Sequence, residues 1–175
     1  MRKVYICSPY RAKDGAELDR NIDYAQQLTR QALEAGLAPI TPHLYMTQCV
    51  DDNKPTERAR GMAAGLALLK DCDFVITGVK YGITEGMDRE IHTANTLGIA
   101  VIDASQIKAY MRYEEKRQER AASDYAKLHK CKYCYERRLW SFMGYENCCT
   151  ASACTAAYKR AYECALGSIR ERQET

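Results

Sequence analysis

The chain has 175 residues, of which 46% are hydrophobic and 28% charged, so it can bury the core of one ordinary domain with an appendage. No signal peptide stands at its start, and no run approaches the roughly 20 apolar residues of a membrane span, which predicts a soluble, cytoplasmic protein without a membrane partner. The net charge of +3 is uneven, because residues 1–105 carry 12 basic and 14 acidic side chains whereas residues 106–175 carry 14 and 9. This shift predicts a domain boundary near Ser105.

Residues 1–105 alternate four short apolar segments with three segments of helical periodicity. Strands are predicted at Lys3–Pro9, Leu37–Thr41, Asp73–Lys80 and Ile99–Ala104. Helices are predicted from Leu18 to a stop at Gly36, from Pro55 to Asp71, and from a loop ending at Gly86 to about Leu97. The apolar stripe of the first helix is predicted to contain Leu18, Ile22, Ala25, Ala32 and Leu33. The order βαβαβαβ predicts an α/β fold with an open, doubly wound parallel sheet.

Ligand sites of such sheets lie at the carboxyl ends of the strands, and polar side chains are expected to gather there. The expected set is Tyr5, Ser8, Tyr10, His43, Asp73, Thr84, Glu90 and Asp103. The sequence contains no GxGxxG and no GxxxxGK[ST], which disfavours dinucleotide binding and P-loop chemistry and predicts no organic cofactor. A hydrolase triad of Ser8, His43 and an aspartate is disfavoured, because no G-x-S-x-G motif is present.

Glu90 is the unusual residue of the third helix. At about 100° per residue it falls on the apolar stripe of that helix, which consists of Met87, Glu90, Ile91 and Ala94. A buried unpaired carboxylate costs free energy, so Glu90 requires a partner, such as Arg60 or Arg89, or a function. The helix N-terminus favours its ionised form, which suits a nucleophile or an electrostatic stabiliser.

Three segments of residues 2–104 carry a family resemblance. They are VYICSPY, CDFVITG and GITEGMDREIHTANTLGIAVI. Together they resemble the nucleoside 2-deoxyribosyltransferase superfamily, and especially its short, phage-associated relatives of unassigned function. The resemblance implies a flavodoxin-like parallel sheet and a glutamate, in a G-x-x-x-E-[IL]-G-x-A signature, that attacks the anomeric carbon of a deoxynucleoside and displaces the base.

The resemblance assigns roles to individual residues. It implies that Glu90 is the nucleophile, that Tyr5 hydrogen-bonds it, and that Asp73 lies near the base and can assist its departure. Asp73 could instead cap the preceding helix. A sugar or 5′-phosphate would be held by the loop after the first strand and by the start of the third helix, through Ser8, Pro9, Tyr10, Thr84, Gly86 and Met87.

The chain also departs from the family pattern at two positions. Thr84 stands where the transferases have an acidic residue six positions before the nucleophile. His92 replaces the second glycine of the signature and is predicted on the outward helix face. No role is predicted for His92 or for His43.

Residues 106–175 are predicted to form a helical, cysteine-rich tail. A polar helix is predicted from Gln106 to His129 and a closing helix from Ala156 to Arg172. Between them lies the pattern Cys131-x2-Cys134, then 14 residues, then Cys149-x4-Cys154, with Cys148 as an alternative to Cys149. Such spacing predicts a structural zinc site with four thiolate ligands, and the alternative is a tail with buried free cysteines.

Three functions are compatible with these features. The first is cleavage or transfer of the N-glycosidic bond of a nucleoside, a nucleotide or a related derivative, with Glu90 as nucleophile. The second is a module on the same fold that binds or sequesters such a ligand, and the third is an adaptor that acts through its zinc tail. A four-stranded sheet has exposed edges, which predicts a homo-oligomer. A surplus of +5 spread over 70 residues is weak evidence for a nucleic-acid partner, so none is predicted.

Overall fold

A computed structural model describes residues 1–129, 159 and 161–169, with the side chains of residues 1–125, 159 and 161–169. Strands and helices alternate from the start of the chain. They are β1 (Lys3–Cys7), α1 (Gly15–Glu34), β2 (Ala38–Ile40), α2 (Pro55–Lys70), β3 (Phe74–Thr77), α3 (Glu85–Thr96), β4 (Ala100–Asp103) and α4 (Ile107–His129). Two short 3-10 helices, Pro42–Leu44 and Met46–Gln48, follow β2. The predicted order of elements is confirmed, with strands that are shorter than expected at their ends.

The four strands form one sheet in the order β2-β1-β3-β4, and all three strand pairs are parallel. The first strand is central, and Tyr5 lies between Ile40 of β2 and Val75 of β3. This order is that of the first four strands of a flavodoxin-like sheet, in which a ligand binds beyond the carboxyl ends of the strands. The predicted parallel α/β sheet is therefore confirmed.

Alternate residues of the central strands point to opposite faces of the sheet, and each face has its own apolar cluster. One face packs against α1, the residue that precedes β2 and the start of α4. Its cluster comprises Val4, Ile6, Leu28, Ala32, Leu37, Phe74, Ile76, Ile102 and Ile107. The other face packs against α2 and α3; its cluster comprises Tyr5, Cys7, Leu69, Cys72, Val75, Met87 and Ala94. The near-continuous apolar strands follow from this double burial.

Helix α1 begins after Asp14, whose side chain accepts a hydrogen bond from the Glu17 amide at 2.8 Å. The buried positions of α1 are Asn21, Ala25, Leu28 and Ala32. Leu33 was expected on this stripe but is 55% exposed. The expectation is wrong because buried positions spaced by four, three and four residues leave the position after Ala32 about 100° outside the stripe.

The chain divides into two compact units, Met1–Met111 and Arg112–Thr175. The boundary lies within α4, six residues beyond the expected position at Ser105. In the second unit, residues 161–169 are helical, within the predicted closing helix. The four predicted zinc ligands, Cys131, Cys134, Cys149 and Cys154, lie outside the described residues, as does Cys148. No helix in the described part of the chain is long and apolar enough to span a membrane.

Candidate functional site

A cleft of about 160 Å³ opens beside β1 and the N-terminal end of α3. One water molecule requires about 10–15 Å³, so this volume accommodates an organic molecule rather than isolated water. Its walls come from β1, the loops after β1 and β2, helix α2 and the first turns of α3. The lining residues include seven of the predicted site residues, namely Tyr5, Ser8, Tyr10, Thr84, Gly86, Met87 and Glu90.

A tyrosine–glutamate pair lies in the wall of this cleft. The Tyr5 hydroxyl donates a hydrogen bond of 2.7 Å to Oε1 of Glu90, and the two residues are 85 positions apart in the sequence. Burial raises the pKa of the Glu90 carboxyl, while the hydrogen bond from Tyr5 acts in the opposite direction. Burial and the neighbouring Glu90 charge raise the pKa of Tyr5, so Tyr5 stays a neutral donor.

The start of α3 explains how Glu90 reaches this position. Thr84 caps the helix, and its hydroxyl accepts a hydrogen bond from the Met87 amide at 3.4 Å. Met87 is buried against the sheet, and its carbonyl accepts a hydrogen bond from the Cys7 thiol at 3.8 Å. Glu90, one turn later, therefore faces β1 and bonds Tyr5, and none of the ion pairs among the described residues joins it to Arg60 or Arg89.

Helix α2 approaches the pair closely because residue 65 is glycine. A Cβ atom on Gly65 would lie 3.0 Å from the Tyr5 hydroxyl oxygen and 4.0 Å from Oε1 of Glu90. The first distance is shorter than ordinary van der Waals contact, so any side chain there would displace the hydroxyl or the helix. Gly65 therefore sets the distance between α2 and the Tyr5–Glu90 pair, and no feature of the sequence singled it out among the other glycines.

A second polar pair in the cleft joins Ser8 and His43. Ser8 Oγ lies 3.0 Å from His43 Nε2, Ser8 is buried, and both residues line the cleft. Burial lowers the pKa of His43 to about 4, so its imidazole is neutral at physiological pH. No role was predicted for His43, although it was expected among the polar residues at the carboxyl ends of the strands and lies three residues after the end of β2.

Helix α1 holds the loop after β1 through hydrogen bonds to two backbone carbonyl groups. The side-chain amide of Asn21, which is buried, donates to the carbonyl oxygens of Tyr10 at 3.3 Å and Arg11 at 3.4 Å. Tyr10 and Arg11 both line the cleft. Pro9, which was expected to contact the substrate, is buried and is absent from the lining. The loop is therefore held by a polar residue on the helix stripe that the apolar pattern did not reveal.

An ion pair forms the charged part of the wall. Arg58 of α2 donates to Asp52 at 2.6 Å, and both residues line the cleft. Both side chains are partly exposed, so solvent screens this pair and its contribution to stability is small. Arg11 and Glu85 line the cleft as well, so side chains of both charges contribute to its wall.

The expected position of Asp73 at the carboxyl edge is wrong. Asp73 precedes β3, which places it at the amino end of the sheet, where its carboxylate accepts a hydrogen bond from the Lys3 amide at 2.6 Å. It is exposed and does not line the cleft. The first and last residues of a strand lie at opposite ends of the sheet along the strand direction. Asp73 is therefore at the amino end, away from Glu90, and cannot assist a leaving group there. Asp103 caps the turn after β4 and is also outside the cleft.

Metal ligands do not cluster in the part of the chain that the structure describes. No group of three or more histidine, cysteine, aspartate or glutamate side chains there could hold a metal ion. The cysteines of the described residues, Cys7, Cys49, Cys72 and Cys164, are free thiols. The side chains that line the cleft offer carboxyl groups, hydroxyl groups, an imidazole and guanidinium groups.

Comparisons with known proteins give a family match and distant similarity to solved structures. The family described as a domain of unknown function (DUF7768) matches residues 2–104. No curated protein matches the chain. Among solved structures, the chain is similar to a 2-deoxyribosyltransferase of the psychrotolerant bacterium Bacillus psychrosaccharolyticus, with 21% sequence identity and a TM-score of 0.43. That similarity covers 58% of this chain and 70% of the bacterial protein.

Proposed function

We propose that this chain, which belongs to the DUF7768 family of unknown function, cleaves the N-glycosidic bond of a nucleoside, a nucleotide or a related derivative, or transfers the glycosyl group to another acceptor. The observation that carries the proposal is the 2.7 Å hydrogen bond from Tyr5 to Glu90 in the wall of an open cleft. A carboxylate held by one of its oxygens presents the other oxygen to a ligand. The signature around Glu90 in the sequence supports the same assignment.

The proposed reaction has two steps. In the first, Oε2 of Glu90 forms a bond to the anomeric carbon while the C–N bond breaks, and the bonding electron pair leaves with the base, which takes a proton from solvent. In the second, water or another acceptor attacks the anomeric carbon, and the ester bond breaks to restore the Glu90 carboxylate. Tyr5 keeps Glu90 oriented and favours its ionised form in both steps.

The position of Asp73 limits the substrates. A nucleoside whose base needs strong protonation would require an acid beside it, and Asp73 lies at the opposite edge of the sheet. The remaining carboxylates of the cleft are Asp52, which is paired with Arg58, and Glu85 at the first position of α3. We therefore expect derivatives with a good leaving base to react fastest.

The test is incubation of the purified protein with deoxynucleosides, deoxynucleotides and NAD, followed by chromatographic detection of free base. Glu90→Gln should retain ligand binding and lose base release by a factor of about 1,000 or more, because the amide keeps the shape but not the nucleophilic charge. Asp88→Asn is the matched control, since Asp88 is an exposed carboxylate on the same helix outside the cleft. Undiminished base release by Glu90→Gln would refute the assignment.

A second candidate is a module that binds such a ligand without turning it over. The position of Asp73 favours this reading, because it lies at the amino end of the sheet and the cleft therefore lacks the acid that the resemblance assigned to the departing base. Calorimetry separates the two candidates. Saturable binding of a nucleotide without base release by the wild-type protein would support the binding module.

A further inference from the structure

The reaction proposed above leaves one polar pair of the cleft unused. Ser8 Oγ and His43 Nε2 lie 3.0 Å apart, and both side chains line the same cleft as Glu90. Ser8 follows the central strand β1 and His43 follows β2, so two neighbouring parallel strands bring the pair together. A hydroxyl group in hydrogen-bond contact with an imidazole can pass its proton to the ring when another group protonates the hydroxyl oxygen.

The surroundings of His43 keep its position fixed. The hydroxyl of Thr47 donates to the His43 carbonyl oxygen at 2.7 Å, and the Tyr10 ring lies 6.1 Å from the imidazole ring, tilted by 54°. Burial lowers the pKa of His43 to about 4, so the ring is neutral and Nε2 or Nδ1 is an acceptor at neutral pH. The other charged or titratable side chains lining the cleft are Tyr5, Tyr10, Arg11, Asp52, Arg58, Glu85 and Glu90.

A neutral imidazole with its proton on Nδ1 has an acceptor at Nε2. The Ser8 hydroxyl then donates to Nε2, and the lone pairs of Ser8 Oγ can accept a hydrogen bond from a water molecule or a hydroxyl group in the cleft. A proton can therefore pass from such a donor to Ser8 while the proton of Ser8 passes to His43.

We propose that Ser8 and His43 together are the general base that activates the acceptor, water or a hydroxyl compound, in the second step of the reaction. This assignment rests on the proposed function, because it requires a glycosyl ester on Glu90. As the oxygen of water forms its bond to the anomeric carbon, the ester bond breaks and its electron pair returns to Glu90. The proton of water passes to Ser8, the proton of Ser8 passes to His43 Nε2, and His43 later releases it to solvent or to the departed base.

The experiment is single-turnover kinetics with a substrate from which the wild-type protein releases base, followed by chromatography for free base and intact mass for the glycosyl adduct. His43→Gln should release the base in the first turnover at close to the wild-type rate. Its adduct should decay about 100-fold or more slowly, because the Gln side chain can accept the Ser8 hydrogen bond but cannot take the proton. The adduct should therefore accumulate.

Sodium azide gives a readout that a structural defect would not produce. Azide attacks the anomeric carbon without losing a proton, so it should restore decay of the adduct in His43→Gln and yield the glycosyl azide. His92→Gln is the matched control, because His92 is exposed on α3 and outside the cleft. Ser8→Ala should slow the decay as well, and it provides a second test if His43→Gln does not fold.

Each outcome separates the two proposals. Wild-type decay of the adduct in both variants would overturn the Ser8–His43 assignment and leave the proposed function intact. Equal loss of base release and of adduct decay without azide rescue would overturn it too, because the pair would then serve binding or folding. If the wild-type protein releases no base from any of the substrates, the proposed function fails and this assignment fails with it.

Discussion

The two faces of the sheet differ in what they bury. On the face covered by α1, the large buried side chains of β1 and β3 are Val4, Ile6, Phe74 and Ile76. On the face covered by α2 and α3, the same two strands present Tyr5, Cys7, Val75 and Thr77. The first face provides stability by burial of apolar area, whereas the second combines burial with a carboxyl group and a cleft.

The difference shows how one strand can serve both stability and chemistry. Because successive residues of β1 alternate between faces, Tyr5 can carry a hydroxyl without placing a polar atom among Val4, Ile6 and their neighbours. Helix α2 contributes Gly65 beside the Tyr5–Glu90 pair, so the helix can approach this face closely. Four predictions test this division.

The largest expected effect is on stability, at the apolar face. Phe74 is fully buried, and its ring lies 4.9 Å from that of Tyr110. Phe74→Ala should lower the free energy of unfolding by about 3–5 kcal/mol, because it removes a large buried side chain and leaves a cavity. Tyr5→Phe on the other face should cost far less, and urea unfolding of both variants makes the comparison. Equal costs would show that the two faces do not divide the roles as described.

The next effect concerns the contact between α2 and the Tyr5–Glu90 pair. Gly65→Ala should lower base release by about tenfold or more, because a Cβ placed 3.0 Å from the Tyr5 hydroxyl must displace the hydroxyl or the helix. Gly61→Ala is the matched control on the same helix, where a Cβ would meet Val50 at an ordinary 3.5 Å. The two variants share the gain in helix propensity of about 1 kcal/mol. Equal activity in both would contradict the role given to Gly65.

A smaller effect is expected on the pH dependence of base release. The nucleophile must be ionised, so activity falls at acid pH as Glu90 is protonated. The Tyr5 hydrogen bond favours the ionised form, and Tyr5→Phe should therefore raise the pKa of Glu90 further and move the acid limb of the pH–rate profile to higher pH. Tyr24→Phe, on the opposite face, should leave the acid limb in place. A shift to lower pH in Tyr5→Phe would reverse the assigned role of that hydrogen bond.

Removal of metal is expected to have the smallest effect on the folding of residues 1–105, which contain both faces of the sheet. If Cys131, Cys134, Cys149 and Cys154 bind zinc, elemental analysis should find close to one zinc per chain, and Cys134→Ser should lose it. Proteolysis should then cut the tail sooner while residues 1–105 stay folded, since those residues contain no cluster of metal ligands. A tail that resists protease equally well without metal would remove the zinc prediction.

The sequence was most informative where burial alone determines the pattern. Apolar strands, the helix stop at Gly36 and the helix start at Pro55 predicted the parallel sheet. The wheel position of Glu90 predicted that its carboxylate lies on the apolar face of its helix, and the resemblance predicted its bond to Tyr5. Contacts between distant segments could not be predicted in this way. The Ser8–His43 pair, the close approach at Gly65 and the loop bonds of Asn21 depend on how separate elements are placed in space.

Asp73 shows a different kind of error. Its position relative to β3 was predicted within one residue, yet a residue at the first position of a strand lies at the opposite sheet edge from one at the last. The zinc site, the homo-oligomer and the nucleotide ligand stay predictions. Each requires its own measurement: the zinc content of the protein, its mass in solution and the binding of a nucleotide.

The central position of the first strand also bears on biosynthesis. Because a ribosome makes the chain from its N-terminus, Tyr5 is complete 85 residues before Glu90, the acceptor of its hydrogen bond. Strand β1 can pair with β3 and contact α3 only after both of these later elements have been synthesised. A nascent or prematurely terminated chain that ends before Glu90 therefore contains the tyrosine without its carboxylate. Such fragments would have neither the nucleophile nor a complete cleft, so the proposed reaction is confined to chains that extend past α3.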